Sequence, residues 1–353
     1  MNKILISLTV IHTRLAKLHL TLHSLLQQDY NNFEVCVHAS KEPFLLDQGI
    51  SDVPREVQRL ISDDSRLSWR WVPNIGPYRK LLPVLNKMID EDQLIVTADD
   101  DTIYPQGWLS TLVQYYSLFN CVISFRSHFI AISDGGFAPY RSWMTHGIVE
   151  NPSELVLPTG KDGVLYHSSH FDRRVLDFVR ALDLAPTADD LWFKWHTAVN
   201  NVPVYCIEPD YTKSSLVDTG EGPSLYLKFN DKGANDRTIA RLHSYAQAEW
   251  GFDLAKVFTR RVATLNGLAT TNSANNAKQV QQTAEEIKRT RTNQQKTTAD
   301  AADRDARISA RPRRSTWGRI IREINRFFRR LKRTPQKAAP PARESKLNIP
   351  STR

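Results

Sequence analysis

Residues Leu94–Ile95–Val96–Thr97–Ala98–Asp99–Asp100–Asp101–Thr102–Ile103–Tyr104–Pro105 constrain this chain more than any other stretch. A short β-prone apolar run ends in three consecutive carboxylates, and a proline then opens a helical pattern. Bounded in this way, Leu94–Ala98 reads as a buried strand of a parallel sheet. Ligands of open α/β sheets bind outside the carboxyl ends of the strands. Three adjacent acids at such an end repel one another unless a cation sits among them. A hard divalent cation, Mg²⁺ or Mn²⁺, fits that chemistry and usually brings phosphate with it. The plainer reading is a solvated acidic loop that caps the helix starting at Pro105.

The flanking sequence supports the sheet. Ile4–Val10 reads as a strand, and the leucines at 15, 18, 22, 25 and 26 mark one face of a helix over 13–28. Phe33–Val37 comes next as a second strand, completing a β-α-β unit. A short helix over Pro54–Ile61, a strand over Leu67–Val72 and a helix over Pro77–Ile89 succeed it. After the acids, a helix from Pro105 to Tyr116 leads to a strand at Cys121–Phe125. This alternation predicts a doubly wound α/β sheet, mostly parallel and flanked by helices. From 127 to 170 the pattern shortens into hairpins and loops. A helix over Asp190–Asn200, a strand over Val204–Ile207 and a helix over Asp236–Trp250 complete the globular part.

Charge separates that part from the C-terminal tail. The net charge of +9 hides a stretch, 268–353, with 21 Lys/Arg against 7 Asp/Glu, while 1–267 carries a net of −5. A basic cleft for nucleic acid is therefore not suggested. Cys36, Cys121 and Cys206 are odd in number, widely spaced and set in apolar runs. They read as buried free thiols of a reducing compartment. Met1–Asn2–Lys3 leads into Ile4 without a cleavage-site pattern, and no apolar run reaches the roughly 18 residues of a spanning helix. A cytoplasmic location is the expectation.

The opening βα unit, the strand ending in three aspartates and the later Asp189–Asp190 together resemble GT-A glycosyltransferases, in particular glycosyltransferase family 2 and its bacterial relatives. The matching pieces are SLTVIHTRLAKLHLTLHSLLQQDYNNFEVCV (7–37), NIGPYRKLLPVL (74–85), LIVTADDDTIYPQGWL (94–109), PTGKDGVLYH (158–167) and LAPTADDLWFKW (184–195). They span about residues 1–210. The resemblance implies a GT-A, Rossmann-like fold and a metal-dependent, inverting transfer of sugar from a nucleotide-sugar donor, UDP-linked in many relatives, to a hydroxyl. The family's DXD motif falls on Asp99–Asp100–Asp101. A divalent metal held there neutralises the diphosphate as it leaves. The resemblance puts Asp101 on the metal, Asp99 on the metal or ribose, and Asp100 on the metal or behind it. Thr9, Lys80, Asp99 and Asp100 are implied for the nucleotide-sugar, Lys80 from a Gly…Lys-Leu setting shared with relatives. An ordinary solvated helical turn is the alternative for Arg79 and Lys80.

Asp189 and Asp190 precede Leu191–Trp192–Phe193 at a helix start, where carboxylates also serve as caps. In the family an acid at this place is the general base, taking the proton of the attacking hydroxyl. Asp190 is the first candidate and Asp189 the second. The Gly160–Lys161–Asp162–Gly163 turn lines the sugar or acceptor pocket or is an ordinary tight turn. Many relatives end their second strand with an acidic pair that binds uracil, whereas this chain reads Val37–His38–Ala39–Ser40, which leaves the base open. His146, His167 and His170 are candidates for a third metal ligand, against the more common satisfied histidine. Trp192 and Trp195 are expected in the core.

The chain divides into four segments: a transferase domain over 1–265, a flexible polar linker over 266–312, a basic amphipathic helix over 313–333 and a disordered end over 334–353. Trp317, Ile320, Ile321, Ile324, Phe327, Phe328 and Leu331 recur at helical spacing, and 311–333 holds ten Lys/Arg against Glu323 alone. Aromatic anchors with arginine on the polar face describe an interfacial helix on anionic lipid; partner docking and nucleic-acid binding are the alternatives. The combined expectation is a transferase on the inner face of the plasma membrane, glycosylating a surface-polysaccharide or glycolipid precursor. A nucleotidyltransferase or a catalytically silent membrane adaptor would share parts of this pattern.

Overall fold

A seven-stranded sheet organises the protein, and its strand order places the ends of β1 (Ile4–Thr9) and β4 (Leu94–Ala98) side by side. The computed structural model describes residues 3–257, except 134–135, 210–215, 221–224 and 232, together with a few isolated positions between 281 and 289. The chain divides into two units, Met1–Asn276 and Ala277–Arg353, and all the strands and helices named in this section belong to the first. The expected basic helix over 313–333 and the end over 334–353 lie outside the described residues, as does nearly all of the 266–312 linker.

In chain order, β1, α1 (Leu15–Leu26) and β2 (Phe33–Ala39) form the first unit, followed by α2 (Arg55–Asp63) and β3 (Leu67–Trp71). α3 (Leu82–Met88), β4 and the two-residue β5 (Thr102–Ile103) come next, then α4 (Trp108–Phe119) and β6 (Val122–Ser124). A run of short pieces leads back to the sheet: β7 (Ser127–Phe129), β8 (Ile132–Ser133), β9 (Gly136–Phe137), α5 (Tyr140–Trp143), β10 (Val156–Pro158) and β11 (Val164–His167). α6 (Phe178–Leu184), α7 (Asp189–Val199), β12 (Val204–Cys206), β13 (Val217–Asp218) and α8 (Ala234–Trp250) complete the set.

The sheet runs β12–β6–β11–β4–β1–β2–β3. β1 pairs in parallel with β2 and β4, β2 with β3, and β12 with β6. Within this sheet β11 is reversed, antiparallel to both β4 and β6. This is the mostly parallel α/β sheet expected from the alternation. Ile4, Ile6 and Leu8 are wholly buried, as are Val35 and Val37, because helices cover central parallel strands on both faces. A large apolar cluster joins α3, α6, α7 and α8 to the sheet, with Trp143, Trp192 and Trp195 inside it. Trp192 and Trp195 are core residues, as expected. The three cysteines are buried and free.

Three of the differences from the sequence reading bear on the site. The single helix over Pro77–Ile89 is a tight 3₁₀ turn at Gly76–Lys80 followed by α3, with Pro83 in its first turn, where the missing N–H costs nothing. The helix after the acids starts at Trp108, because Thr102–Ile103 pairs with β13 before the chain can coil. α7 begins one residue earlier than expected, with both aspartates in its first turn and Ala188, which makes no side-chain cap bond, as the N-cap.

Candidate active site

The carboxyl ends of β1, β2, β3 and β4 open on one edge of the sheet, and the predicted donor residues gather there. A cavity of 150 Å³ is lined by Thr9, Asp47, Arg79, Lys80, Asp99 and Asp100, among others. Beside it lies a cleft of 430 Å³ that shares Arg14, Lys80 and Asp99 and adds Asp101, Asp189 and Asp190. The structure thus gathers Thr9, Lys80, the three acids of the motif and the Asp189–Asp190 pair around these two spaces.

The three acids of the motif have different surroundings. Asp99 Oδ2 accepts the Asp162 N–H at 3.1 Å, and its own N–H donates to the Tyr104 hydroxyl. Burial pushes its carboxyl up to about 7, against the pull of Lys80. Asp100 is almost fully buried; Arg14 Nη1 donates to its Oδ1 at 2.6 Å and the Ile11 N–H to its Oδ2 at 3.3 Å. Burial raises this carboxyl too, with Arg14 holding it down in part. Asp101 Oδ2 lies 3.0 Å from the same Arg14 Nη1, and the Asp101 carbonyl accepts the N–H and hydroxyl of Thr219. Asp100 is therefore engaged below the surface, while Asp99 and Asp101 flank the cleft.

Lys80 is fixed by the turn before α3: the Ser7 hydroxyl donates to the Lys80 carbonyl at 2.6 Å. Its Nζ stands 3.5 Å from Asp189 Oδ2. Despite burial, the fields of Asp189, Asp99 and Asp190 push its ammonium up to about 12. Asp190 Oδ1 accepts the Leu191 N–H at 2.8 Å. Burial, then Asp189, pushes the Asp190 carboxyl up to about 7, with Lys80 opposing. Gly160, at φ +70°, approaches so closely that a Cβ there would lie 2.9 Å from Lys80 Nζ. The Gly160–Gly163 turn lies at the cleft because β11 runs backwards, pairing Val164 with Thr97.

That reversal carries His167 to Leu94, at the opposite end of β4 from the acids. There His167 contacts Asp92 and Ser169, and His170 accepts the His167 N–H. His146 is exposed after α5. Among the described residues no cluster of three or more His, Cys, Asp or Glu has metal-binding geometry, and His167 and His170 are the satisfied histidines of the more common reading. Their places follow from strand direction, which residue spacing does not encode. Thr9 lines the smaller cavity, with its hydroxyl donated to the His38 carbonyl.

Sequence reasoning missed Asp47 and Arg14. Asp47 Oδ1 accepts the N–H groups of His12 and Gly49, and its Oδ2 meets Arg79 Nη2 at 3.0 Å, with both side chains 1% exposed. Arg79 Nε donates to Gly76 O, while its buried Nη1 makes no hydrogen bond among the described residues. Arg79 is thus held in the smaller cavity beside Asp47.

Asp99 and Asp101 suit a divalent cation. Gly220 packs so closely against Asp101 that a Cβ there would lie 2.6 Å from its Oδ2. Mn²⁺ or Mg²⁺ on these oxygens would neutralise a leaving diphosphate.

No family model matches the sequence, and no curated protein matches it. Solved structures do. The 1–349 piece of S. aureus TarS in complex with UDP-GlcNAc has a TM-score of 0.40 at 15% identity, covering 74% of this chain and 76% of that one. A protein of Desulfovibrio desulfuricans G20, ascribed to the nucleotide-diphospho-sugar transferases, has a TM-score of 0.34 at 13% identity, over 72% of this chain and 99% of that one. The 4-diphosphocytidyl-2C-methyl-D-erythritol synthase of Anaerococcus prevotii has a TM-score of 0.36 at 12% identity, over 61% and 90%. No described helix is long and apolar enough to cross a membrane.

Proposed function

We propose that this chain is a metal-dependent, inverting glycosyltransferase that moves a sugar from a nucleotide-sugar donor to an acceptor hydroxyl. The observation that carries the reading is the shared cleft: Lys80 stands between Asp99 and the Asp189–Asp190 pair at the carboxyl edge of the sheet. A diphosphate needs positive charge as it leaves, and a hydroxyl needs a base as it attacks. The cleft offers both within one cavity of 430 Å³.

In this reading the nucleoside enters the smaller cavity, between Thr9 and the Asp47–Arg79 pair. Lys80 holds the diphosphate and keeps the Asp189–Asp190 pair from accumulating unbalanced charge. Asp99 and Asp101 hold Mn²⁺ or Mg²⁺, which supplies charge neutralisation at the leaving diphosphate. Asp190 takes the proton from the acceptor hydroxyl, which attacks the anomeric carbon from the face opposite the diphosphate. Its carboxyl, raised to about 7, is basic enough to accept that proton near neutral pH.

The direct test is donor turnover across a panel of nucleotide sugars, with Mn²⁺ and with chelator. Asp101→Ala should abolish metal-dependent transfer and donor hydrolysis; full retained activity would remove the assignment. We also propose that residues 313–333 bring the enzyme to an anionic membrane surface on the cytoplasmic side, where a lipid-carried polysaccharide or glycolipid precursor is the acceptor. Unchanged liposome binding by a chain truncated after 267 would sink that part.

A further inference from the structure

Arg14 occupies an unusual position for a residue at the start of α1. Its Nη1 bridges two of the three acids, at 2.6 Å from Asp100 Oδ1 and 3.0 Å from Asp101 Oδ2. Asp100 is 5% exposed and is held on its far side by the Ile11 N–H, so the guanidinium has a fixed anchor. Asp101 is the outer partner, 14% exposed, and its bonded oxygen also lies against Gly220. Arg14 keeps about a quarter of its side chain exposed and borders the 150 Å³ cavity, the 430 Å³ cleft and a smaller 60 Å³ pocket.

These contacts create a conflict at a single atom. A divalent cation bound to Asp101 Oδ2 would sit about 2.0–2.2 Å from that oxygen, while a guanidinium nitrogen already stands 3.0 Å from it. Two cations on one oxygen repel, so the metal binds well there only when Arg14 lets go of Asp101. The Asp100 bond can persist through that change, which leaves the remaining N–H donors of a planar guanidinium turned to the cleft. Such a fork suits phosphate oxygens.

Resting on the donor site proposed for this cleft, we infer that Arg14 is a resident counter-ion of the acidic motif that competes with the divalent cation at Asp101 and passes to the donor diphosphate when that cation binds. Metal and donor therefore bind cooperatively, and the donor-free protein holds the metal weakly. The arrangement also explains how three adjacent carboxylates fold without a metal: the chain supplies its own cation. Arg14 acts here by contacting the diphosphate, and Asp100 is its positioning residue.

The experiment titrates the donor-free, full-length protein with Mn²⁺ alone, following free Mn²⁺ by electron paramagnetic resonance. Arg14→Gln should tighten Mn²⁺ binding roughly tenfold, within the usual range for coupled sites. The same substitution should raise the donor KM at saturating Mn²⁺. Arg14→Lys keeps the charge on a shorter side chain that does not reach both acids from the start of α1; it should fold even if Arg14→Gln does not, and bind Mn²⁺ more tightly than wild type. Asp101→Ala distinguishes the counter-ion role from the metal site itself. If wild type binds Mn²⁺, Asp101→Ala loses it, and both Arg14 variants bind as wild type does, the counter-ion role is overturned while the metal site stands. An unchanged donor KM beside tighter Mn²⁺ binding overturns the hand-off to diphosphate. If no variant binds Mn²⁺ and Asp101→Ala transfers sugar normally, the metal-dependent reading falls and the inference falls with it.

Discussion

Lys80 Nζ lies 3.5 Å from Asp189 Oδ2, joining the turn before α3 to the first turn of α7 across the cleft. The same ammonium is what holds down the carboxyls of Asp99 and Asp190, each already pushed up to about 7 by burial. Lys80→Met should therefore do more than weaken donor binding. We expect kcat/KM to fall roughly 10²–10³-fold, the usual cost of losing one charge-stabilising donor. The rising limb of the pH–rate profile should also move to higher pH. Steady-state kinetics between pH 6 and 9 reads both effects, and a loss of rate with an unmoved limb would assign Lys80 to the donor alone.

Asp190 ties turnover and stability to pH with opposite signs. As the proposed base it would work deprotonated, so the rate should rise as pH passes through about 7. For stability, its folded carboxyl titrates above its unfolded one. The folded state binds more protons between the unfolded value, about 3.9, and about 7, so stability is lost as pH rises through that window. Asp190→Asn should consequently abolish the rising limb with little change in donor affinity, while raising the Tm at pH 8 and leaving it nearly unchanged at pH 4. Thermal melts at the two pH values, beside the kinetics, check this; equal Tm gains at both would contradict the linkage.

Asp47 and Arg79 form an ion pair with both side chains 1% exposed. Removing one partner from such a pair leaves a buried charge, at a cost of about 3–5 kcal/mol. Asp47→Ala should lower stability by that order in denaturant melts. Asp47→Asn keeps the acceptor oxygen for the His12 and Gly49 N–H groups and should lose less. If the smaller cavity holds the nucleoside, Asp47→Asn should also change the preference among nucleoside diphosphates, measured by thermal shift.

His196 is fully buried between Trp192 and Trp250, with ring centroids 4.4 and 4.6 Å away, and neither ring nitrogen has a hydrogen-bond partner among the described residues. Burial pushes its imidazole down to about 3. An unfolded chain takes up the proton near pH 6.5, so the folded state loses stability as pH falls from there toward 3. His196→Phe should remove this dependence. Its stability advantage over wild type should widen by up to about 1.4 kcal/mol per pH unit below 6.5, read from urea midpoints at pH 7, 6 and 5.

The first β-α-β unit and the strand before the acids were legible because each is a bounded apolar run. Their ranges shift by only a residue or so in the structure, as Ile4–Thr9 against Ile4–Val10 shows. Asp99, Asp101, Lys80 and the Asp189–Asp190 pair could also be read, since each comes directly after a recognisable strand or turn, or opens a helix. Arg14 and Asp47 could not. Arg14 reads locally as one polar position at the start of an amphipathic helix, and its role exists only because β1 and β4 are neighbours. Asp47 sits in a long loop without periodicity, and its partner Arg79 arrives from the far side of β3. His167 and His170 are the satisfied histidines of the more common reading, and their place at the far end of β4 follows from the reversal of β11, because no local signal tells whether a strand runs with its neighbours or against them.

The reversed strand β11 has a consequence for how such a protein can change. β7 and β10 pair with each other, β8 and β9 likewise, and neither pair joins the main sheet. Everything between β6 and β11 is therefore an excursion that leaves and returns without shifting the register of β1, β2, β3 and β4. Length can change around the exposed Thr145–Gly147 while Asp99, Asp101 and Lys80 keep their places, whereas Gly160 and Asp162, at the end of the excursion, touch Lys80 and Asp99 and are tied to the site. The parallel strands fix the acids and the lysine, and the excursion before β11 is the part of the chain whose length they do not constrain.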